Sequence, residues 1–179
     1  MLYIGVDLGT SAVKLLLMDE NGNIHKIVSR EYPLYFPHPG WSEQKPGDWF
    51  AQSMEGIREL TAECDKSQVR GISFGGQMHG LVVLDEADHV IRPAILWNDG
   101  RTEKETEYLN QVIGKETLSK YTANIAFAGF TAPKILWMKE HEPELFEKIA
   151  KSCCLKIIWH INCPVLFVLN IRTHRECCF

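Results

Sequence analysis

Cysteine is nearly missing from the first 150 residues: Cys64 stands alone there, and the other five occur at 153, 154, 163, 177 and 178. A disulfide framework needs paired thiols spread through a small domain, so none is read for this stretch. Met1 leads straight into the strand-like run Leu2 to Val6, with no basic leader, long apolar segment or cleavage site. That pattern predicts a cytoplasmic protein. Positive charge is also short, with 19 Lys and Arg against 23 Asp and Glu and a formal net charge of -4. Nucleic acid and anionic membranes recruit clustered Lys and Arg, so neither is the expected partner. A small neutral or phosphorylated ligand fits this balance better.

The end of the chain lacks different things. From Lys151 onward there is no Gly and no Asp, and Glu176 is the only acid, whereas 22 of the 23 acidic residues precede it. The composition changes at one point, which predicts two unlike pieces, residues 1–150 and 151–179.

What is present suffices for a real core: 179 residues, 45% hydrophobic and 23% charged, make one ordinary globular domain. Leu2 to Asp7 reads as a buried strand, Leu8 to Ser11 as a tight turn and Ala12 to Met18 as a second strand. Asn21-Gly22 supplies the positive φ angles of a hairpin turn into a third strand, Ile24 to Tyr32. Pro33 to Pro46 carries four prolines and Gly40, and reads as a surface loop. Pro46 and Asp48 open a helix whose apolar residues Trp49, Phe50, Met54, Ile57 and Leu60 share one face. Val69 to Phe74 and Leu81 to Asp85 are further strands, and Pro93 to Trp97 is extended. Helices follow over Thr102 to Val112, over Thr131 to His141 with Ile135, Leu136 and Met138 buried, and from Pro143 to Ala150. Strand and helix alternate with little linker, so the fold class is α/β.

Asp7-Leu8-Gly9-Thr10-Ser11-Ala12-Val13-Lys14 is the strongest local signal. An acid ends a buried strand, and a Gly and two hydroxyls form the turn into the next. Backbone N–H groups in such a turn converge on anionic oxygens, and glycine permits close approach. A neighbouring carboxylate can hold Mg²⁺ during phosphoryl transfer. The plainer alternative is a hairpin turn with Lys14 solvated. Gly75-Gly76-Gln77-Met78-His79-Gly80 joins two strands, placing Gln77 and His79 at a strand end, where ligands of α/β sheets bind. A single His is more often a hydrogen-bonded structural residue than a ligand or base. Trp97-Asn98-Asp99-Gly100-Arg101 reads equally as an aromatic wall with sugar-gripping polar groups or as a capped turn with an ion pair.

Taken together, these segments resemble the first domain of the FGGY carbohydrate kinases. Residues 7–14 match that family's first phosphate motif, while GQMHG, PAILWNDGRT and GFTAPKILW followed by HEPE are similar to its xylulose-phosphorylating members. The resemblance covers residues 2 to about 150 without a gap. It implies a ribonuclease-H-like, actin-like ATPase domain, here incomplete, with a mixed sheet flanked by helices. It implies ATP and Mg²⁺ as cofactors and transfer to the terminal hydroxyl of D-xylulose. Asp7 would position the metal and phosphates, and Gly9, Thr10, Ser11 and Lys14 would approach the γ-phosphate. Gln77, Met78 and His79 would line the sugar pocket, with Trp97, Asn98 and Asp99 close by. The family's general-base Asp and its nucleotide domain are expected beyond residue 179, so the chain alone is expected to be inactive and poorly soluble. A homodimer is implied for the full-length form. The alternatives are another sugar or polyol kinase of the family, or a non-catalytic sugar-binding module.

Residues 151–179 match nothing in that family. With synonymous codons chosen suitably, a family-like segment MLPKDYLAYKLSG followed by AFCTEYSDASGMLL, read one base out of frame, reproduces Cys153 through Cys178 and begins Phe179. One base lost from an A run at codon 151 accounts for the tail, so its paired cysteines are not read as a metal site.

Overall fold

The structure is a computed structural model that describes residues 1–153. The chain divides into two compact units, residues 1–34 with 46–77, and residues 35–45 with 78 onward.

The first unit is a four-stranded mixed sheet under one helix. β1 (Leu2–Leu8), β2 (Ala12–Asp19) and β3 (Ile24–Glu31) form the expected antiparallel meander, and β5 (Val69–Gly76) joins β1 in parallel, giving the order β3-β2-β1-β5. Alternation along each strand sends Ile4, Val6, Leu8, Val13, Leu15, Leu17 and Val28 to one buried face. Helix α1 (Pro46–Leu60) lies on that face, burying Trp49, Ser53, Gly56 and Leu60. Gly56 permits the close approach, because a Cβ there would stand 2.4 Å from Leu15 Cδ1. At the edge of this face polar side chains reach up to the helix. Lys26 Nζ donates to Glu59 O at 3.0 Å, and Arg30 donates to Gln52 Oε1 and Glu59 Oε2, each at 3.0 Å. Gly76 approaches β1 so closely that a Cβ would lie 2.8 Å from Leu8 O.

The second unit is built from short pairings. β4 (Glu43–Gln44) pairs with β7 (Ala94–Ile95), and β6 (Val82–Leu84) with β8 (Lys151–Cys153), both antiparallel. Leu81, Val83, Ile95, Trp137 and Met138 form its core. The proline-rich segment is therefore not a surface loop throughout. Ser42, Glu43 and Gln44 are buried, because their backbone pairs with β7 and Leu96 N donates to Ser42 O at 3.0 Å.

The helical part also differs in detail. The expected helix over Thr102 to Val112 is α2 (Glu103–Tyr108) running into a π-helical turn, Leu109–Gly114, and then α3 (Lys115–Thr122). The chain leaves α3 through Ala123 in the left-handed region, φ 58°. α4 (Thr131–His141) is where the sequence places it, but Trp137 and Met138 are its buried apolar residues, with Ile135 and Leu136 half-buried. α5 (Pro143–Phe146) is shorter than expected. Among the described residues no helix is long and apolar enough to cross a membrane. The tail from residue 154 lies outside the described residues.

Candidate functional site

In the first unit, Asp7 sits near the end of β1, opposite Lys14 on β2 and Gly75 on β5. These pairings put Asp7, Lys14 and Gly75 on the sheet face away from α1, where both charged side chains are exposed. With Gly5, Leu16, Ile27 and Ser73 they line a concavity of about 450 Å³. Gly9 N–H donates to Ala12 O at 3.0 Å, closing the turn. Gly9 therefore contributes close approach rather than a donor. Thr10 Oγ1 donates to Gln77 Oε1 at 3.2 Å, and Gln77 N–H donates to Leu8 O at 2.9 Å. The Gly9 turn and the start of the Gln77 segment are thus one hydrogen-bonded corner.

Tyr32 completes that corner, and the sequence reading missed it. Its hydroxyl donates to Gly9 O and its N–H to Ser11 O. Burial, and to a lesser degree the negative charge of Asp7, push the phenol well above its ordinary value. A neutral donor is thereby kept on the turn at any working pH.

Met78, His79, Trp97, Asn98 and Asp99 belong to the second unit. His79 adopts a left-handed backbone, φ 62°, and its imidazole stacks on Phe130 at 4.2 Å with the planes 17° apart. Phe127 packs against Phe130 at 5.1 Å. The Trp97 backbone meets the same cluster: a Cβ on Gly129 would stand 2.5 Å from Trp97 O, a contact only glycine permits. Met78, Trp97 and Phe127 are 42%, 49% and 47% exposed, leaving apolar and aromatic surface beside His79. Flat aromatic and apolar walls with a few polar groups are what small polyol ligands use.

Lys134 holds this cluster from below. It is fully buried on α4, and Nζ donates to His79 O at 2.7 Å and to Gly129 O at 2.6 Å. Burial pulls the amine down from 10.5 to about 7, with the Arg101 charge adding to the effect and Asp99 opposing it. A neutral amine still has two N–H groups, which match the two carbonyls. The GFTAPK segment carried the signal for Lys134, although its side chain was given no role.

Asp99 is not on the surface. Its carboxylate accepts from Ser42 N at 2.6 Å and from Arg101 Nε and Nη2, both at 2.8 Å. Arg101 also donates to Glu43 Oε1 at 2.7 Å and lies 3.7 Å above the Trp41 ring. Glu43 in turn pairs with Arg92, which reaches Glu142 at 2.7 Å. This network orients the turn that carries exposed Trp97 and Asn98, so Asp99 supports the neighbouring side chains.

The FGGY family of carbohydrate kinases, N-terminal domain, matches residues 2–161, which runs past the end at about residue 150 expected from the motifs. The chain is 48% identical over 149 residues to the xylulose kinase of Bacillus subtilis, covering 82% of this chain and 30% of that one. Against the gluconokinase of the same organism identity is 28% over 153 residues, covering 86% and 30%. A crystal structure described as a xyloylose kinase from Brucella ovis superposes with a TM-score of 0.84 and 41% identity, covering 90% of this chain and 34% of that one. The chain thus spans about 30% of the length of the curated relatives it matches. With the family's N-terminal domain matched over most of this sequence and a relative 48% identical, the chain belongs to the FGGY family of carbohydrate kinases, whose N-terminal domain it carries.

Proposed function

We propose that this chain is the sugar- and phosphate-binding part of a cytoplasmic kinase that phosphorylates the terminal hydroxyl of D-xylulose with ATP and Mg²⁺. The observation that carries the substrate is the difference in identity within one organism, 48% to a xylulose kinase against 28% to a gluconokinase. The His79, Phe130 and Trp97 cluster supplies the kind of wall such a substrate needs.

The first unit fits a metal–nucleotide partner. Asp7 offers an exposed oxygen donor of the kind Mg²⁺ takes, and Lys14, its cross-strand neighbour, offers a cation for phosphate oxygens. Bound Mg²⁺ with ATP would supply the transferable phosphoryl group and neutralise its charge. Thr10 and Ser11 would donate to phosphate from the turn, while Tyr32 keeps the turn in shape through Gly9 O. Met78, His79, Trp97 and Asn98 would orient the sugar. The proposed general base lies on a part of the kinase that this chain does not include, so the isolated chain binds without turning over. General-base loss alone costs about 10² to 10⁴ in rate.

Residues 151–179 are proposed to be read out of frame from the kinase. Resequencing the source DNA across codon 151 tests this: an extra A should restore a long kinase reading frame. ADP release by the restored protein should be strongest with D-xylulose in a panel including D-ribulose, gluconate and glycerol. Preference for another member of the panel would overturn the substrate. Sugar binding without ADP release would favour a non-catalytic module.

A further inference from the structure

In the second unit, Glu105 on α2 is 2% exposed, and its Oε2 has no hydrogen-bond partner among the described residues. An unpaired buried carboxylate oxygen is costly, about 1–3 kcal/mol or more for a charged group, and calls for a partner. Its Oε1 lies 3.6 Å from His141 Nε2 at the end of α4, too far for a hydrogen bond. The His141 ring is held by stacking on Trp137 at 5.0 Å with the planes 26° apart. Glu140 stands beside it. One ligand atom from each of Glu105, Glu140 and His141 falls within 4.8 Å of the other two.

We propose that Glu105, Glu140 and His141 form a binding site for a divalent first-row transition-metal ion. One imidazole nitrogen and two carboxylates favour Mn²⁺, Fe²⁺ or Zn²⁺ over Mg²⁺ or Ca²⁺, which take oxygen ligands almost alone. Ligands at roughly 2.0–2.2 Å from a metal lie at most about 4.4 Å apart, so the three groups must draw together. Glu140 and His141 are exposed, so Glu140 can turn towards the buried Glu105 while His141 shifts on its Trp137 stack. Water completes the coordination on the exposed side. Such an ion takes the buried Glu105 carboxylate as a ligand and ties α2, which runs into the π-helical turn, to the end of α4.

Mn²⁺ is the probe of choice, because the six cysteines would compete for Zn²⁺. Free Mn²⁺ is followed by electron paramagnetic resonance during titration of the purified chain. The expected result is a bound ion with one imidazole nitrogen coupling, which His141→Ala removes. Glu105→Gln and Glu140→Gln should each weaken binding about tenfold or more. Asp7→Asn should leave this site intact. His141→Ala and Glu140→Gln alter exposed residues, so the test survives should Glu105→Gln fold poorly. Absence of Mn²⁺ binding, or binding lost with Asp7→Asn and kept in His141→Ala, would overturn the assignment.

Discussion

Replacing Lys134 with Met keeps the aliphatic stem and removes the buried amine, which separates packing from charge. Both His79 O and Gly129 O then lose a donor, at about 1–3 kcal/mol for each buried group left unpaired. Against this, the wild-type amine is charged in the unfolded chain up to about pH 10.5, whereas folding lowers its pKa to about 7. Between those values the unfolded state binds more protons, so stability rises with pH. From pH 6 to pH 9 the rise is about 2–3 kcal/mol at 1.36 kcal/mol per unit, most of it above pH 7. Well below pH 7 the amine is protonated in the folded and the unfolded state alike and contributes no slope. Lys134→Met should lack this rise, so the wild type gains about 2–3 kcal/mol on the variant across the interval. Urea denaturation of both proteins at pH 6, 7, 8 and 9 measures it. Parallel stability curves across that range would refute a neutralised Lys134.

Three further outcomes follow from the same geometry. Arg101→Met should destabilise the chain by about 3–5 kcal/mol in thermal or urea unfolding, since it strands Asp99 as a buried carboxylate and leaves Glu43 with Arg92 alone. Gly129→Ala should displace the Trp97 backbone, whose oxygen would stand 2.5 Å from the new Cβ, and lower D-xylulose affinity more than it lowers stability. Calorimetric titration beside a melt separates the two effects. In a spectrophotometric alkaline titration Tyr32 should ionise well above the ordinary phenol range, and Asp7→Asn should lower its pKa by removing the nearby negative charge. No change in the titration with Asp7→Asn would count against that coupling.

The first unit was legible because its signals are local. Period-two apolar residues, Asn21-Gly22 and Pro46 with Asp48 mark strands, hairpin and helix start within a few residues of one another. The parallel partnership of β1 with β5, across some sixty intervening residues, has no local pattern to show it, and the family resemblance implied only that the sheet is mixed. Glu43 and Asp99 were hidden for a different reason. Each is a charged residue in a turn or proline-rich stretch, where solvent exposure is the default, and only the arrival of Arg101 between them makes burial tolerable. Lys134 and Tyr32 escaped similarly, since nothing in their neighbours' spacing shows that a lysine or a tyrosine will spend its polar atoms on distant carbonyls. The π-helical turn at Leu109–Gly114 also carries no period that a helical pattern would reveal.

The chain passes from the first unit to the second at residue 35, back at 46 and over again at 78. During synthesis the meander of β1, β2 and β3 can pair as soon as it emerges, whereas residues 35–45 must wait for partners made about fifty residues later. β4 has only its local bridge to Tyr35 until β7 has been translated, and β6 only its bridge to Val90 until β8. A shortened gene ending near residue 77 would therefore release a nearly finished sheet carrying an orphaned strand, a form prone to pair with its neighbours. Excising either unit for separate expression calls for rejoining two segments, with residues 34 and 46 linked directly for the first.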